Sequence, residues 1–298
     1  MSSVLQKNIW SPSAELLAIC SRGSLILGFA FLICVSFVQA QTQSAALSAT
    51  TDRVAATDTV VSPMDALLLA RKSVEKFFDQ SSGVVCTESV SQLTVGKNGK
   101  PDYREESRYI FQLQASTSSG SLKLNESRET RKAPFRDAAR TLLITNGFAS
   151  MLLIVHSSYE TSYTFEPVGE ENVDGKSLVK INFKPVPGGA SPAALQLRGQ
   201  NYPLPLSGTL WIDPQNGAIT KLIAEVDSSM SDLGLQGMRS EIHYATVQFH
   251  EPEEAYWMPV SATIDVETPR QHWRNVHRFT SYKRFTANIK IEDLGGKP

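Results

Sequence analysis

Cysteine is scarce in this 298-residue chain, and the scarcity is informative. There are three, Cys20, Cys34 and Cys86, and the first two fall in an N-terminal segment that reads as a removable leader. The mature chain then keeps only Cys86, so no internal disulfide can form, even in a compartment that would permit one. In the strand-like context Val84-Val85-Cys86-Thr87 a lone cysteine is expected as a small core hydrophobe. An excess of charge of one sign is also missing, with 29 basic and 30 acidic residues. A nucleic-acid ligand calls for a basic field, so none is expected.

Catalytic and cofactor motifs are absent as well. No Gly-x-Ser-x-Gly elbow, no justified Cys–His constellation, no Gly-x-Gly-x-x-Gly and no Walker lysine occurs. Of the five histidines, His272 and His277 are five apart, and His243 and His250 are seven apart. Odd spacing on a strand sends the two members to opposite faces, so neither pair chelates locally. Adjacent carboxylates such as Glu105-Glu106, Glu170-Glu171 and Glu253-Glu254 diverge for the same reason and read as solvated charge. No enzyme, metal or cofactor is therefore expected.

The N-terminus carries an address. Lys7 and Arg22 precede the apolar run from Ser24 to Val38, and Val38-Gln39-Ala40 supplies small residues for cleavage near Ala40. The run is shorter than the ~20 residues that span a bilayer comfortably, so no stable span is expected after processing. Ile33 before Cys34 and Ile19 before Cys20 do not fit a lipoprotein signal. Residues 1–40 thus read as a signal peptide and residues 41–61, rich in Ser, Thr, Ala and Gln, as a flexible spacer. Residues 62–298 read as a single domain, periplasmic or secreted from a bacterium.

That domain opens with a helix and continues in strands. Ser62 as cap, Pro63 in the first turn and Asp65 three on from the cap announce a helix to about Gln80, with Leu67, Leu68, Val74, Phe77 and Phe78 on its apolar stripe. From Gly83 the period changes to two. Tyr103, Ser107, Tyr109, Phe111 and Leu113 share one strand face, and Arg104, Glu106, Arg108, Gln112 and Gln114 the other. Leu122, Leu124, Glu126 and Arg128 extend a third strand. Residues 138–144 and 148–156 do not alternate and read as helical or irregular inserts. Tyr159, Thr161, Tyr163 and Phe165 alternate again, and residues 187–205 read as a long loop.

The hairpin Leu206 to Lys221 is the clearest single feature. Leu210 and Ile212 share one face and Thr209 and Trp211 the other, while Asp213-Pro214-Gln215-Asn216-Gly217 makes the turn. About ten strands with hairpin connections and no βαβ spacing predict a mainly β, α+β fold. The expected form is a large curved antiparallel sheet, an incomplete barrel with helices covering the mouth.

The run Val173-Asp174-Gly175-Lys176 through Phe183-Lys184-Pro185, a loop, and then Gly208-Thr209-Leu210-Trp211-Ile212-Asp213 with Gly217-Ala218-Ile219-Thr220-Lys221 resembles the periplasmic LolA/LolB-like lipoprotein-carrier fold. It is also similar to the N-terminal domain of RseB-type regulators of envelope stress. The resemblance covers residues 83–285 in outline and about fifty residues by motif. It implies a half-barrel that holds an apolar ligand or lipoprotein acyl chain under a helical lid, with an envelope protein as a further partner. Tyr109, Phe111, Tyr163, Phe165, Phe183, Trp211 and Tyr244 are the candidate lining. Arg128 and Arg131 are the candidates to meet a polar head at the mouth. The alternative is an exported interaction domain with a filled core and no ligand, presenting an exposed apolar patch or a free sheet edge.

Overall fold

In the computed structural model the described residues are 61–96, 98–118, 121–132, 145, 147–197, 199–250 and 253–284. The leader, all but the last residue of the expected spacer, and the insert at 138–144 lie outside them. One α-helix, twelve strands and three short 3-10 turns make up the described regular structure.

Helix α1 (Pro63–Gln80) starts where the cap predicts, with the Ser62 hydroxyl accepting from the Asp65 N–H. Its buried face is Ala66, Leu67, Ala70, Val74, Phe77 and Phe78, whereas Leu68, expected on that stripe, is exposed. The strands are β1 (Val84–Val95), β2 (Pro101–Ser118), β3 (Ser121–Lys132), β4 (Tyr163–Val173), β5 (Lys176–Pro185), β6 (Ala194–Leu197) and β7 (Gln200–Pro203). There follow β8 (Leu206–Ile212), β9 (Ile219–Val226), β10 (Gly237–His250), β11 (Glu253–Glu267) and β12 (His272–Arg284).

Ten of these strands form one antiparallel sheet in the order β3-β2-β1-β12-β11-β10-β9-β8-β5-β4. The sheet does not close, and β3 and β4 are its edges. Only the β1–β12 pairing joins strands distant in sequence. The remaining pairs follow chain order, apart from the β5–β8 step, where β6 and β7 form a small separate hairpin. That hairpin lies within the stretch expected to be a long loop, too apolar at Leu195 and Leu197 for a plain linker. Leu195 packs on the core from it and Leu204 is buried just after it, which accounts for the apolar residues there.

Two turns show why the pairing takes this register. Asp174 and Gly175 both have positive φ, 52° and 81°, the two-residue hairpin geometry whose twist matches the strands it joins. In the β8–β9 turn the Asp213 carboxylate accepts from the Gln215 N–H at 2.9 Å, and the Gly217 N–H returns to the Asp213 carbonyl at 2.9 Å.

The inward face is continuous with one core. Alternation holds along β1, where Val84, Cys86, Glu88, Val90 and Gln92 are buried. Cys86 is part of this core, as expected, and burial is the main cause that pushes its thiol up to about 12. Helix α1 lies on this concave side and touches β2 near one end of the sheet and β8, β5 and β4 at the other. The 3-10 turn Ser150–Ile154 fills the space beside it, with Leu152 and Ile154 fully buried. Tyr159 and Thr161, expected in a strand, belong instead to the 3-10 turn Ser157–Ser162, and β4 begins only at Tyr163. The His156 ring nitrogen caps that turn by accepting from the Ser158 N–H, so a local side-chain bond prevails over the alternation.

Gly208 marks the tightest packing. A Cβ there would stand 1.9 Å from the Ile223 carbonyl oxygen and 2.8 Å from the Phe183 ring. Backbone cannot yield as a side chain can, so Gly208→Ala is expected to cost about 3 kcal/mol or more. Urea denaturation measures it, and a loss under about 1 kcal/mol would show that β8 and β9 can separate to admit a methyl group.

Candidate functional site: a polar latch on the concave wall

A buried carboxylate organises one half of the concave wall. Glu88 sits in the apolar phase of β1, between Cys86 and Val90, and its side chain is 0% exposed. Arg128, on the inward face of β3, forks onto it: Nη2 donates to Oε1 at 2.6 Å and Nε donates to Oε2. His277 of β12 lies 2.7 Å from Glu88 Oε1 through Nδ1 and is 1% exposed. Two cationic or donor groups thus share one carboxylate, which is how a buried charge is compensated.

The same cluster ties down the segment that fills the concave side. Arg128 Nη1 donates to the Thr145 carbonyl at 2.6 Å. Thr145 Oγ1 lies 2.7 Å from His277 Nε2 and accepts from Asn275 Nδ2 at 3.1 Å. A neutral imidazole satisfies every one of these contacts, with Nδ1–H donating to Glu88 and Nε2 accepting from the Thr145 hydroxyl. Burial is the main cause that lowers the His277 pKa, opposed by Glu88 and aided by Arg128. Glu126, also on β3, accepts from the Gly147 N–H at 3.1 Å and from the Ser150 N–H and hydroxyl at 2.8 and 2.6 Å. Burial raises its carboxyl pKa against these hydrogen bonds. On the far side the buried Tyr244 hydroxyl donates to the Phe148 carbonyl at 2.8 Å, and the Phe148 ring meets His277 and Phe279.

Thr145, His277 and Glu88 have the connectivity of a hydroxyl–imidazole–carboxylate triad. The Arg128 donors that bond go to Glu88 and to the Thr145 carbonyl, and the Gly147 N–H goes to Glu126. The recess lined by Val90, Gln92, Tyr109, Arg128, Thr145, Asn275 and His277 has a volume of about 20 Å³, room for about one water. The arrangement acts as a latch holding Thr145 and residues 147–150 against β3, β10 and β12.

Seven of the nine sequence candidates lie on this side. Arg128 is in the latch, its guanidinium over the Tyr109 and Phe148 rings at 5.7 and 5.9 Å. Phe111 meets Phe279, Phe183 meets Tyr163, and Phe165 packs on the core under Arg71. Trp211 lies on the opposite face, where its Nε1 donates to Glu171 at 3.1 Å and Lys221 Nζ stands 3.8 Å from the ring centroid. Arg131 is exposed, three residues from Arg128 and so out of phase with it.

Glu88, Glu126, Asn275, His277 and Thr145 were not singled out from the sequence as site residues. The available signal was phase: Glu88 continues Val84 and Cys86, and His277 precedes Phe279 by two. The Glu105-Glu106 pair, expected as solvated charge, divides, with Glu105 buried inside and Glu106 exposed. Among the described residues no three His, Cys, Asp or Glu side chains gather as metal ligands, and no helix is long and apolar enough to cross a membrane.

No family model matches the chain, and no curated protein matches it. Solved structures do. A DUF1329 family protein from Desulfovibrio piger is 12% identical, covering 78% of this chain and 94% of its own, at a TM-score of 0.35. A putative outer membrane lipoprotein-sorting protein domain from Vibrio parahaemolyticus is 12% identical over 78% of this chain and 97% of its own, at 0.39. A LolA superfamily protein from Nitrosomonas europaea is 12% identical over 74% of this chain and 96% of its own, at 0.32. The LolA-like resemblance carried by residues 173–221 has its counterpart in these matches, which at such scores bear on no ligand or partner.

Two outcomes test the latch. Arg128→Met leaves Glu88 buried without its main cation and is expected to cost about 3–5 kcal/mol, whereas Glu88→Gln with Arg128→Met together costs less than the two single changes summed. Equilibrium urea unfolding gives all three values, and a strictly additive double variant would remove the pair from this role. The second outcome concerns pH. Because the folded state lowers the His277 pKa from 6.5, its contribution is complete above that value and is lost as pH falls below it. The stability gap between wild type and His277→Gln should therefore shrink between about pH 7.5 and about pH 5.5. The raised Glu126 carboxyl acts in the opposite sense, losing its contribution as pH rises above 4.5, but it is common to both proteins and cancels in the comparison. A gap constant with pH would mean that His277 titrates alike folded and unfolded.

Proposed function

We propose that this chain is an exported, non-enzymatic binding protein that shelters an apolar chain on the concave side of its sheet, beneath residues 147–156. The carrying observation is that the cover of the concave face is not part of the sheet. Helix α1 and the Ser150–Ile154 turn supply it, and the second is fastened by a few polar contacts at its start. Releasing that latch would bare the aromatic wall around Phe111, Phe279 and Tyr244, a surface suited to an acyl chain or similar moiety. The leader read in residues 1–40 supports delivery to the periplasm or beyond. Opening requires that the guest bind the open form better than the closed one, since only differential affinity shifts the two populations.

A second reading, an interaction domain with a permanently filled core, is favoured by one specific observation. Phe78, Leu152, Ile154 and Phe183 are at most 2% exposed and already occupy the space a guest would take. In that case the partner would be an envelope protein meeting an edge strand or the exposed outer face of α1 at Met64 and Leu68.

Native mass spectrometry of protein purified from its own host without detergent, followed by lipid extraction, separates the two. The first reading expects a bound species of defined mass and a rise in melting temperature on adding fatty acids or acylated peptides. A clean apo mass with no thermal shift would defeat it and leave the filled-core domain.

A further inference from the structure

Beyond the latch, the concave wall carries a second polar patch that the closed structure leaves incomplete. Strand register builds it. Thr94 of β1 lies opposite Tyr103 of β2 on one side and Trp273 of β12 on the other, and in the next inward row Gln92 lies opposite Glu105. Ser107 follows Glu105 by two and so shares its face. These residues are in phase with Val90, Phe111 and Leu113, which line the core.

Glu105 is the centre of the patch. It is 5% exposed, and the Tyr103 hydroxyl donates to its Oε2 at 3.1 Å. Its Oε1 is buried without a hydrogen-bond partner, as are Thr94 Oγ1, Ser107 Oγ and Trp273 Nε1. Buried polar groups in folded proteins are nearly always paired, and four open atoms at neighbouring positions of one wall are a concentration that calls for a cause. A buried carboxylate in particular needs a cation or donors around both oxygens. Arg128, an inward cation of the described wall, is committed to Glu88 and to the Thr145 carbonyl. Among the described residues no lysine, arginine or histidine pairs with Glu105.

We infer that this patch is the seat for an ammonium group carried by the guest, which makes the guest an amine-headed amphiphile rather than a fatty acid. The three open oxygens, Glu105 Oε1, Thr94 Oγ1 and Ser107 Oγ, match the ammonium group, whereas Trp273 Nε1 is a donor that the ammonium does not engage. The free carboxylate oxygen takes the charge, and the Ser107 and Thr94 hydroxyls accept further N–H bonds. Tyr103 and Trp273 border the same carboxylate row with aromatic faces of the kind that attract cations. The chain of such a guest would run from this row towards Phe111 and Phe279, the apolar half of the same wall. The inference rests on the proposed sheltering of an apolar chain on the concave side and specifies its polar end.

The test compares decylammonium, decanol and decanoate, each below its micelle concentration, by titration calorimetry on the full exported chain and on Glu105→Gln. Wild type is expected to bind decylammonium at least about tenfold more tightly than decanol, and decanoate no better than decanol. Glu105→Gln should abolish that preference while keeping the decanol affinity, and Ser107→Ala, which removes an acceptor and no charge, should reduce it partway. Equal affinity of wild type for the amine and the alcohol overturns the ammonium seat and leaves the sheltering of an apolar chain standing. So does a preference that survives in a folded Glu105→Gln. Failure of all three probes to bind wild type overturns both together. The wild-type preference needs no variant, so the outcome stands even if Glu105→Gln does not fold.

Discussion

A sheet of ten strands that stops short of closing leaves a whole face to be kept from water, and the rest of this structure follows from how that face is covered. Helix α1 reaches strands towards both ends of the sheet, so its position depends on the curvature and holds the curvature in turn. Gly217 shows how closely the two are fitted. With φ at +72°, the β8–β9 turn comes so near the helix that a Cβ on Gly217 would stand 2.3 Å from the Leu69 carbonyl carbon. Only a residue without a side chain, free to adopt positive φ, allows that approach. One turn therefore fixes both the register of a hairpin and the seat of the helix.

Helix α1 covers one part of the wall, and Thr145 with residues 147–156 covers another. The two covers differ in what holds them. Phe77 and Phe78 attach α1 through edge-on contacts with each other, Trp257 and His156, a non-directional attachment spread over many atoms. The segment adds directional bonds to Arg128, His277, Asn275, Glu126 and Tyr244 to its own buried apolar side chains, Phe148, Leu152, Ile154 and Val155. A hydrogen-bonded latch can be exchanged for water or for a ligand with modest net loss, whereas stripping an apolar helix from its bed exposes surface outright. The same reasoning places the two titrating groups of the latch at its two fastenings, His277 against Glu88 and Glu126 against Ser150, with opposite responses to pH.

Much of this architecture was legible in the sequence because sheets with one buried face write a period of two into the chain. The cap at Ser62, the turns at Asp174-Gly175 and Asp213–Gly217, and the alternation of β2 all appear where their residues place them. What alternation could not convey was which in-phase residues are polar by design. Glu88, Gln92, Glu105, Asn275 and His277 sit in the apolar phase of their strands, and each reads alone as an interruption of the pattern. Their meaning depends on the β1–β12 pairing, which joins residues nearly two hundred positions apart. Trp211 illustrates the converse. Aromatic character suggested a wall residue, yet phase put it outside, where Lys180, Lys221 and Glu171 cover it.

The open edges impose a last constraint. An unclosed sheet offers two rows of unpaired backbone groups to any passing strand, and this chain treats both. Strand β4 carries Pro167, which donates nothing, with a register shift between Pro167 and Gly169 and the run Glu170-Glu171 beside it. Strand β3 presents Glu129 and Arg131 outwards, with Glu126 and Arg128 turned in. Inward-pointing charge on an edge strand resists a wrong neighbour, because a slip of one residue would expose the apolar phase and bury Glu129 unpaired. The residues that fasten the latch are thus the same ones that guard the edge. A change at Arg128 consequently reaches further than one ion pair, since it loosens the cover of the concave face and the register of the strand that borders it.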